Sequence, residues 1–143
     1  MPPGVFDDTG EAVDFLCRAA RVLFLVDGYN VSKTAWADHD LANQRQRLVD
    51  GLVNLHAKTG AQVEVVFDGV DDGSLGARVM PGPVRVRFTP AGLEADDMIL
   101  ELLDAHLADQ PIVVVSSDKR VRDGARKRGA NTLSSDLFVP VLR

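Results

Sequence analysis

The sequence predicts an α/β protein of three layers, with helices on both faces of a central, mostly parallel sheet. Residues 22–26 form an apolar run that is too short for an ordinary helix and is followed at once by Asp27 and Gly28. The runs at 63–67 and 112–116 are similar in character, and each also ends near an aspartate. Runs of this kind are typical of strands that are buried on both faces in a parallel sheet.

Helices are predicted where apolar residues recur every three or four positions. One helix would cover 41–58 and end at Gly60, and a second would cover 92–108. A strongly basic helix is expected over 119–128. The buried face of the first of these helices would consist of Leu41, Leu48, Leu52 and Leu55.

The other segments are expected to be short strands and loops. The alternating residues 84–88 predict a strand with one solvated face, which we place at a sheet edge, and 131–133 predict a last short strand. Loops are expected at the polar residues 32–40 and at the glycine- and acid-rich residues 68–76, the latter mobile. The resulting order of elements implies right-handed crossovers between parallel strands.

Length and composition indicate one globular domain. The chain has 143 residues, of which 45% are hydrophobic and 26% are charged. Residues 1–20 are expected to form an extension with a short helix, and 21–143 to form the domain. The single cysteine, Cys17, predicts a small buried residue rather than a disulfide.

The sequence also bears on location. No apolar run approaches the roughly 18 residues that a membrane span requires. The first residues are acidic, unlike the basic start of a secretory signal. We therefore expect a cytoplasmic protein with no membrane partner.

Six acids fall at the ends of predicted strands or at the start of a helix that follows one. The carboxyl ends of parallel strands meet at one edge of a sheet, where ligands bind. Carboxylates brought together repel one another unless a cation compensates, and oxygen ligands suit Mg²⁺ or Mn²⁺. Metal-assisted phosphodiester hydrolysis is the chemistry that needs such a pocket. The six acids are Asp27, Asp68, Glu94, Asp96, Asp97 and Asp118.

Four short motifs resemble those of a known family. DGYN at 27–30, FDG at 67–69, EADD at 94–97 and SSD at 116–118 resemble, in this order, the motifs of the YacP-like group of NYN domains, part of the PIN-like and 5′-nuclease superfamily. The resemblance covers about residues 21–137. It implies a metal-dependent ribonuclease, an endoribonuclease in our preferred interpretation, with a sheet in the order 3-2-1-4-5.

The resemblance also implies roles for individual residues. Asp68 would be an outer or second-metal carboxylate. Glu94 stands where many YacP-like sequences have threonine, so its role and the number of metals stay open. Asn30 would orient water or a phosphate, and Ser116 and Ser117 are further candidates for substrate binding. The main metal ligands and catalytic residues would be Asp27, Asp96, Asp97 and Asp118.

The basic segment 119–128 fits an RNA partner, although the net charge of the chain is −5. On a helix, Lys119, Arg122 and Arg126 would share one face near the mouth of the site, where they could contact phosphates. A solvated basic face without a ligand is the alternative. We expect single-stranded RNA as the substrate, and an association of the protein with ribosomes or mRNA is a further expectation.

Two functions from other classes are alternatives to the nuclease. A non-catalytic RNA-binding or protein-interaction module could retain the pocket for a structural metal. A phospho-receiver domain also has an acidic pocket, but it needs paired acids after the first strand and a lysine at the last strand, and neither is present. Endo- and exonucleolytic cleavage, the RNA sequence preference and the oligomeric state stay open.

Overall fold

The strands of the computed structural model form one mixed sheet. The structure describes residues 17–18, 21–69, 78–80, 82–90 and 92–142. Within them the strands are β1 (Leu23–Asp27), β2 (Gln62–Phe67), β3 (Arg78–Met80), β4 (Val84–Phe88), β5 (Ile112–Val115) and β6 (Asn131–Leu133). They lie in the order β3-β4-β2-β1-β5-β6, and only β3 runs antiparallel to its neighbour. The five parallel strands therefore confirm the predicted order 3-2-1-4-5.

Helices cover both faces of this sheet, which confirms the three layers. In the described residues they are α1 (Gly28–Ala35), α2 (Leu41–Thr59), α3 (Ala95–His106), α4 (Lys119–Lys127) and α5 (Ser135–Phe138), followed by a 3₁₀ turn at Val139–Leu142. Successive side chains of a strand point to opposite faces. Accordingly, Phe24 joins the apolar core on the side of α2 and α5, whereas Leu25 joins the core under α3 and α4.

Three local predictions are wrong. Residues 32–35 belong to α1 rather than to a loop, because β1 passes into a helix without an intervening turn. The strand at 84–88 has the predicted alternation of burial but is not the edge, since the three-residue β3 pairs outside it. Leu41 is 44% exposed, because it is the first residue of α2 and lies beyond the part of the helix that covers the sheet.

Other predictions can be followed only in part. Cys17 is buried as expected and, with Arg18, is helical, but the rest of the expected short helix lies outside the described residues. Most of the loop expected at 68–76 also lies outside them.

Two glycines end helical segments. Gly60 follows α2 and Gly129 follows the turn after α4, with positive φ angles of 77° and 88°, and glycine adopts this conformation most readily.

The glycines of the two Asp-Gly pairs are required by close packing. A Cβ atom on Gly28 would lie 2.8 Å from the carbonyl oxygen of Val66 and would also overlap the Phe67 ring. A Cβ atom on Gly69 would overlap the carbonyl oxygen of Thr89. Each glycine thus lets a neighbouring segment of backbone pack closely against the chain directly after the aspartate.

Candidate functional site

An open cleft of about 580 Å³ lies at the carboxyl edge of the parallel strands. The six acids of the sequence analysis are predicted at this edge of the sheet, and five of them line the cleft. The lining residues are Asp27, Tyr29, Asn30, Lys33, Asp68, Gly69, Gly92, Leu93, Glu94, Ala95, Asp96 and Asp118.

Asp27 is the buried carboxylate at the centre of this edge. It ends β1 and is only 9% exposed. Ser116 Oγ donates a hydrogen bond of 2.9 Å to Asp27 Oδ2, and the backbone N–H of Asp118 donates to Ser116 Oγ at 3.0 Å. Burial raises the pKa of Asp27 to about 6; the charges of Asp68, Asp118 and Asp96 act in the same direction, against the Ser116 hydrogen bond. The fold therefore holds a carboxylate whose ionised form needs a compensating cation.

Two of the surrounding acids also accept hydrogen bonds from the first turns of helices. Asp68 Oδ1 accepts a hydrogen bond of 2.5 Å from the backbone N–H of Ala95, the first residue of α3. Asp118 Oδ1 accepts one of 3.2 Å from the backbone N–H of Val121 in the first turn of α4. Each carboxylate thus fixes the start of a helix while it faces the cleft.

Three acids come together at the start of α3. A carboxylate oxygen from each of Glu94, Asp96 and Asp97 lies within 4.8 Å of the other two. The charge of Asp96, followed by a hydrogen bond to it, raises the pKa of Glu94. Asp96 lines the cleft, whereas Asp97 is not among its lining residues. The structure therefore brings Asp27, Asp68, Glu94, Asp96 and Asp118 together, and places Asp97 beside this group.

Arg120 pairs with the two adjacent aspartates of α3. Its Nη1 donates to Asp96 Oδ2, and its Nη2 donates to Asp97 Oδ1 at 2.6 Å. These hydrogen bonds, that to Asp97 first, raise the pKa of Arg120. The sequence indicates only a basic segment here, because a contact between α4 and α3 depends on how the two helices pack.

Asn30 is held by its carbonyl oxygen. Asn30 Oδ1 accepts hydrogen bonds from the backbone N–H of Ser117 at 2.9 Å and from Ser135 Oγ at 2.6 Å. The backbone N–H of Ser135 in turn donates to Ser117 Oγ at 3.0 Å. Because the oxygen is engaged, the amide N–H groups of Asn30 are its donors toward the cleft. Ser135 is a residue that the motifs do not indicate, since it lies outside all four.

Ser116 and Ser117 differ in exposure. Ser116 is fully buried, and its hydroxyl is engaged by Asp27 and by the backbone of Asp118. Ser117 is exposed, and both its hydroxyl and its backbone N–H are used by the Asn30 and Ser135 network. These contacts orient other side chains of the site, and substrate binding by Ser116 and Ser117 stays a prediction.

The predicted basic face of α4 extends away from the cleft. Lys119 is exposed next to Asp118, whereas Arg126 Nε donates to Thr132 Oγ1 at 3.2 Å, roughly 10 Å farther along the helix. Arg122 is half-buried between them. Of these three residues, Lys119 therefore lies nearest to the acids, at the start of the helix.

Lys33 is a cationic residue of the cleft that the sequence does not single out. It lies one helical turn after Asn30 on α1, a segment predicted to be partly loop, and it lines the cleft together with Asn30 and Asp27. A segment assigned to a loop has no defined face, so periodicity could not place this side chain.

The donor set of the cleft fits a hard divalent cation. Its acidic lining residues offer carboxylate oxygens, and no histidine or cysteine lines it among the described residues. Oxygen donors of this kind suit Mg²⁺ or Mn²⁺. The charges of Asp68, Asp118 and Asp96 all act on the carboxylate of Asp27, so these four acids form one electrostatic group in the cleft.

The parallel sheet, its strand order and the acidic carboxyl edge define the PIN-like class of nuclease folds. Residues 24–143 match the model of the YacP-like NYN domain, and the chain belongs to this family.

Solved structures of one protein share this fold. The structure of Rae1 (YacP) from Bacillus subtilis is 24% identical, with a TM-score of 0.67 over 84% of this chain and 72% of that one. A tryptophan-to-leucine mutant of the same protein is 26% identical, with a TM-score of 0.66 over 83% and 74%. No curated protein matches the sequence of this chain. Among the described helices, none has the length and apolar character needed to cross a membrane.

Proposed function

We propose that this protein is a metal-dependent ribonuclease that hydrolyses RNA phosphodiester bonds in the acidic cleft. The observation that carries the proposal is the buried Asp27, surrounded by Asp68, Asp96 and Asp118 at the carboxyl edge of a PIN-like fold. A buried carboxylate with carboxylate neighbours is unfavourable in a metal-free protein, and a bound cation compensates for it. The acids most directly involved would be Asp27, Asp96, Asp97 and Asp118, as the family resemblance implies.

A divalent metal in this cleft would activate water and neutralise charge on the phosphate. The protein's own groups would hold and orient the reactants. Ser116 fixes the rotamer of Asp27, and the Asn30 amide, fixed through its oxygen, offers N–H groups to a phosphate oxygen or a water molecule. Asp68 would act mainly by anchoring the start of α3, from which Asp96 projects.

The position of Asp97 suggests how it would take part. Arg120 bridges Asp96 and Asp97, so its single positive charge compensates one of the two negative charges of this pair. Metal binding at Asp96 would compete with that ion pair. We propose Asp97 as an outer carboxylate that retains Arg120 when Asp96 takes up the metal, and Glu94 as an exposed acid at the entrance.

Cationic side chains of α4 beside the cleft would bind the phosphates of the RNA. Lys119 lies exposed at the start of α4, beside Asp118. Arg122 and Arg126 would contact the RNA only if the RNA strand follows the helix away from the cleft. They are therefore weaker candidates than Lys119. Mn²⁺ and Mg²⁺ are the proposed ions, single-stranded RNA is the proposed substrate, and the cytoplasm is the proposed location.

A non-catalytic RNA-binding module is the second candidate, and one observation favours it. Arg120 forms ion pairs with two of the acids and compensates part of their charge without any metal, as a purely structural site would. The two candidates differ in two measurable properties: whether the cleft binds a divalent ion at millimolar concentration, and whether RNA is cleaved when the ion is bound.

Metal binding is tested by thermal unfolding. A cation that binds only the native carboxylates stabilises the fold by about 2.7 kcal/mol at a hundredfold excess over its dissociation constant. We therefore expect millimolar Mn²⁺ or Mg²⁺ to raise the melting temperature of the EDTA-treated protein, and Asp96→Asn to remove most of this rise. Asp109→Asn is the matched control, because Asp109 is exposed beside the start of β5, at the opposite edge of the sheet. An equal rise in the wild type and Asp96→Asn would contradict the assigned site.

A further inference from the structure

We propose that Lys33 is a substrate-binding residue that holds an RNA phosphate on the α1 side of the cleft. The inference rests on the proposed ribonuclease function and deepens it, because it assigns the side from which the RNA backbone is held. It depends on the position of Lys33, on what orients its side chain and on the absence of a carboxylate partner for it in the described part of the chain.

The position of Lys33 is fixed by the junction of β1 and α1. Because α1 begins at Gly28, directly after Asp27, its first two turns stand above the carboxyl edge of the sheet. Asn30 and Lys33 are three residues apart and therefore on the same face of the helix. Both line the cleft with Asp27, and Lys33 is exposed. A phosphate near Asp27 and Asn30 is thus within the region that a lysine side chain can reach.

An aromatic ring orients the Lys33 side chain. Its Nζ lies 5.9 Å from the centroid of the Tyr29 ring, a distance at which a cation and an aromatic ring attract each other. Tyr29 is itself fixed, because its ring packs 5.0 Å from that of Phe67 and its hydroxyl accepts a hydrogen bond of 2.9 Å from Arg45 Nη1. This contact directs the ammonium group without consuming its hydrogen-bond donors.

The Lys33 ammonium has no ion-pair partner among the described residues. In the described part of the chain, no carboxylate oxygen lies within ion-pair distance of it, although the cleft is acidic. Arg120, the cation at the α3 side, instead has two nitrogens engaged by Asp96 and Asp97. With respect to the described residues, Lys33 therefore keeps three N–H donors and a full charge for a ligand, and the anion that suits it in a nuclease cleft is a backbone phosphate.

RNA binding without cleavage provides the first test. The binding of a fluorescein-labelled single-stranded RNA is measured by anisotropy in EDTA at several salt concentrations. Lys33→Met keeps the aliphatic stem and removes the charge. We expect it to weaken binding about tenfold at low salt, the effect of one charged hydrogen bond, and to reduce the slope of log K against log salt by about 0.7. Lys33→Arg should retain most of the affinity.

Lys58→Met is the matched control. Lys58 is exposed in the last turn of α2, which leads into the start of β2 at the edge of the sheet away from the cleft. The same change of charge there should leave both the affinity and the salt slope as in the wild type. A loss in Lys58→Met as large as that in Lys33→Met would mean that only net charge matters, and it would overturn the proposal.

Steady-state cleavage with Mn²⁺ separates this inference from the proposed function. Lys33→Met should raise KM about tenfold, with kcat within about threefold of the wild type, and Lys33→Arg should restore KM. If the wild type cleaves RNA while Lys33→Met has unchanged affinity, slope and KM, the role of Lys33 is rejected and the nuclease stands. If the wild type neither binds nor cleaves RNA, both proposals fail together.

Discussion

Asp27→Asn is expected to lower the rate of RNA cleavage at least about a hundredfold while the protein stays folded. The substitution removes the charge and keeps nearly the same volume, and the new amide oxygen can still accept the hydrogen bond from Ser116 Oγ. Loss of the group that anchors the metal removes several kcal/mol of transition-state stabilisation, and each 1.36 kcal/mol is about tenfold in rate. The measurement is single-turnover cleavage of a labelled RNA in Mn²⁺.

Two comparisons make this result interpretable. Asp109→Asn, which removes an acid from the opposite edge of the sheet, should cleave at the wild-type rate. RNA affinity in EDTA should be nearly the same in Asp27→Asn as in the wild type, or somewhat higher, because one negative charge near the phosphate is gone. An Asp27→Asn protein as active as the wild type would place the activity elsewhere and favour the binding module.

The same substitution is expected to stabilise the metal-free protein by roughly 3 kcal/mol at pH 7. Burial raises the folded-state pKa of Asp27 from 3.8 to about 6, and a shift of that size corresponds to about 1.36 kcal/mol for each pH unit. Because the folded pKa is the higher one, the stabilising contribution is fully present below pH 3.8 and is lost as the pH rises through 6. Asparagine carries no proton to lose and retains its stability across this window.

Urea unfolding in EDTA between pH 4 and pH 7 measures the difference. The unfolding free energies of the two proteins should be similar near pH 4, and the advantage of Asp27→Asn should grow until about pH 6 to 7. Added Mn²⁺ should reduce or reverse this advantage, because only the wild type retains the full ligand set. A constant difference across the pH range would show that Asp27 is not the buried, titrating carboxylate that its contacts imply.

The sequence predicts most of the fold and the place of the site, because both follow from short-range patterns. Apolar runs that end in Asp27 and Asp68 identify buried strands and the edge at which they end. A strand of three residues such as β3 is too short for periodicity to reveal. The direct passage from β1 into α1 is hidden for another reason. Gly28, Asn30, Ser32 and Thr34 have lower helix propensity, and α1 forms because it packs on α2 and the sheet.

What the sequence could not provide is the orientation of side chains that depends on distant contacts. Asp96 and Asp97 are adjacent in the chain but about 100° apart around α3, so only the packed helix tells which of them faces the cleft. Ser135 meets Asn30 across 105 positions of sequence, and Arg120 meets the aspartates of α3 through the contact of two helices. Lys33 acquires a defined face only once its segment is known to be helical.

Cleavage of a defined single-stranded RNA in oxygen-18 water, with EDTA and then with excess Mn²⁺, tests the central claim most directly. Hydrolysis by a metal-activated water predicts no cleavage in EDTA, recovery on addition of the metal, and one oxygen-18 atom in each newly formed terminal phosphate. Replacing the 2′-hydroxyl at the cleaved position by a methoxy group should then leave the bond cleavable. Cleavage that persists in EDTA, requires the 2′-hydroxyl and leaves a 2′,3′-cyclic phosphate would contradict the metal-dependent mechanism.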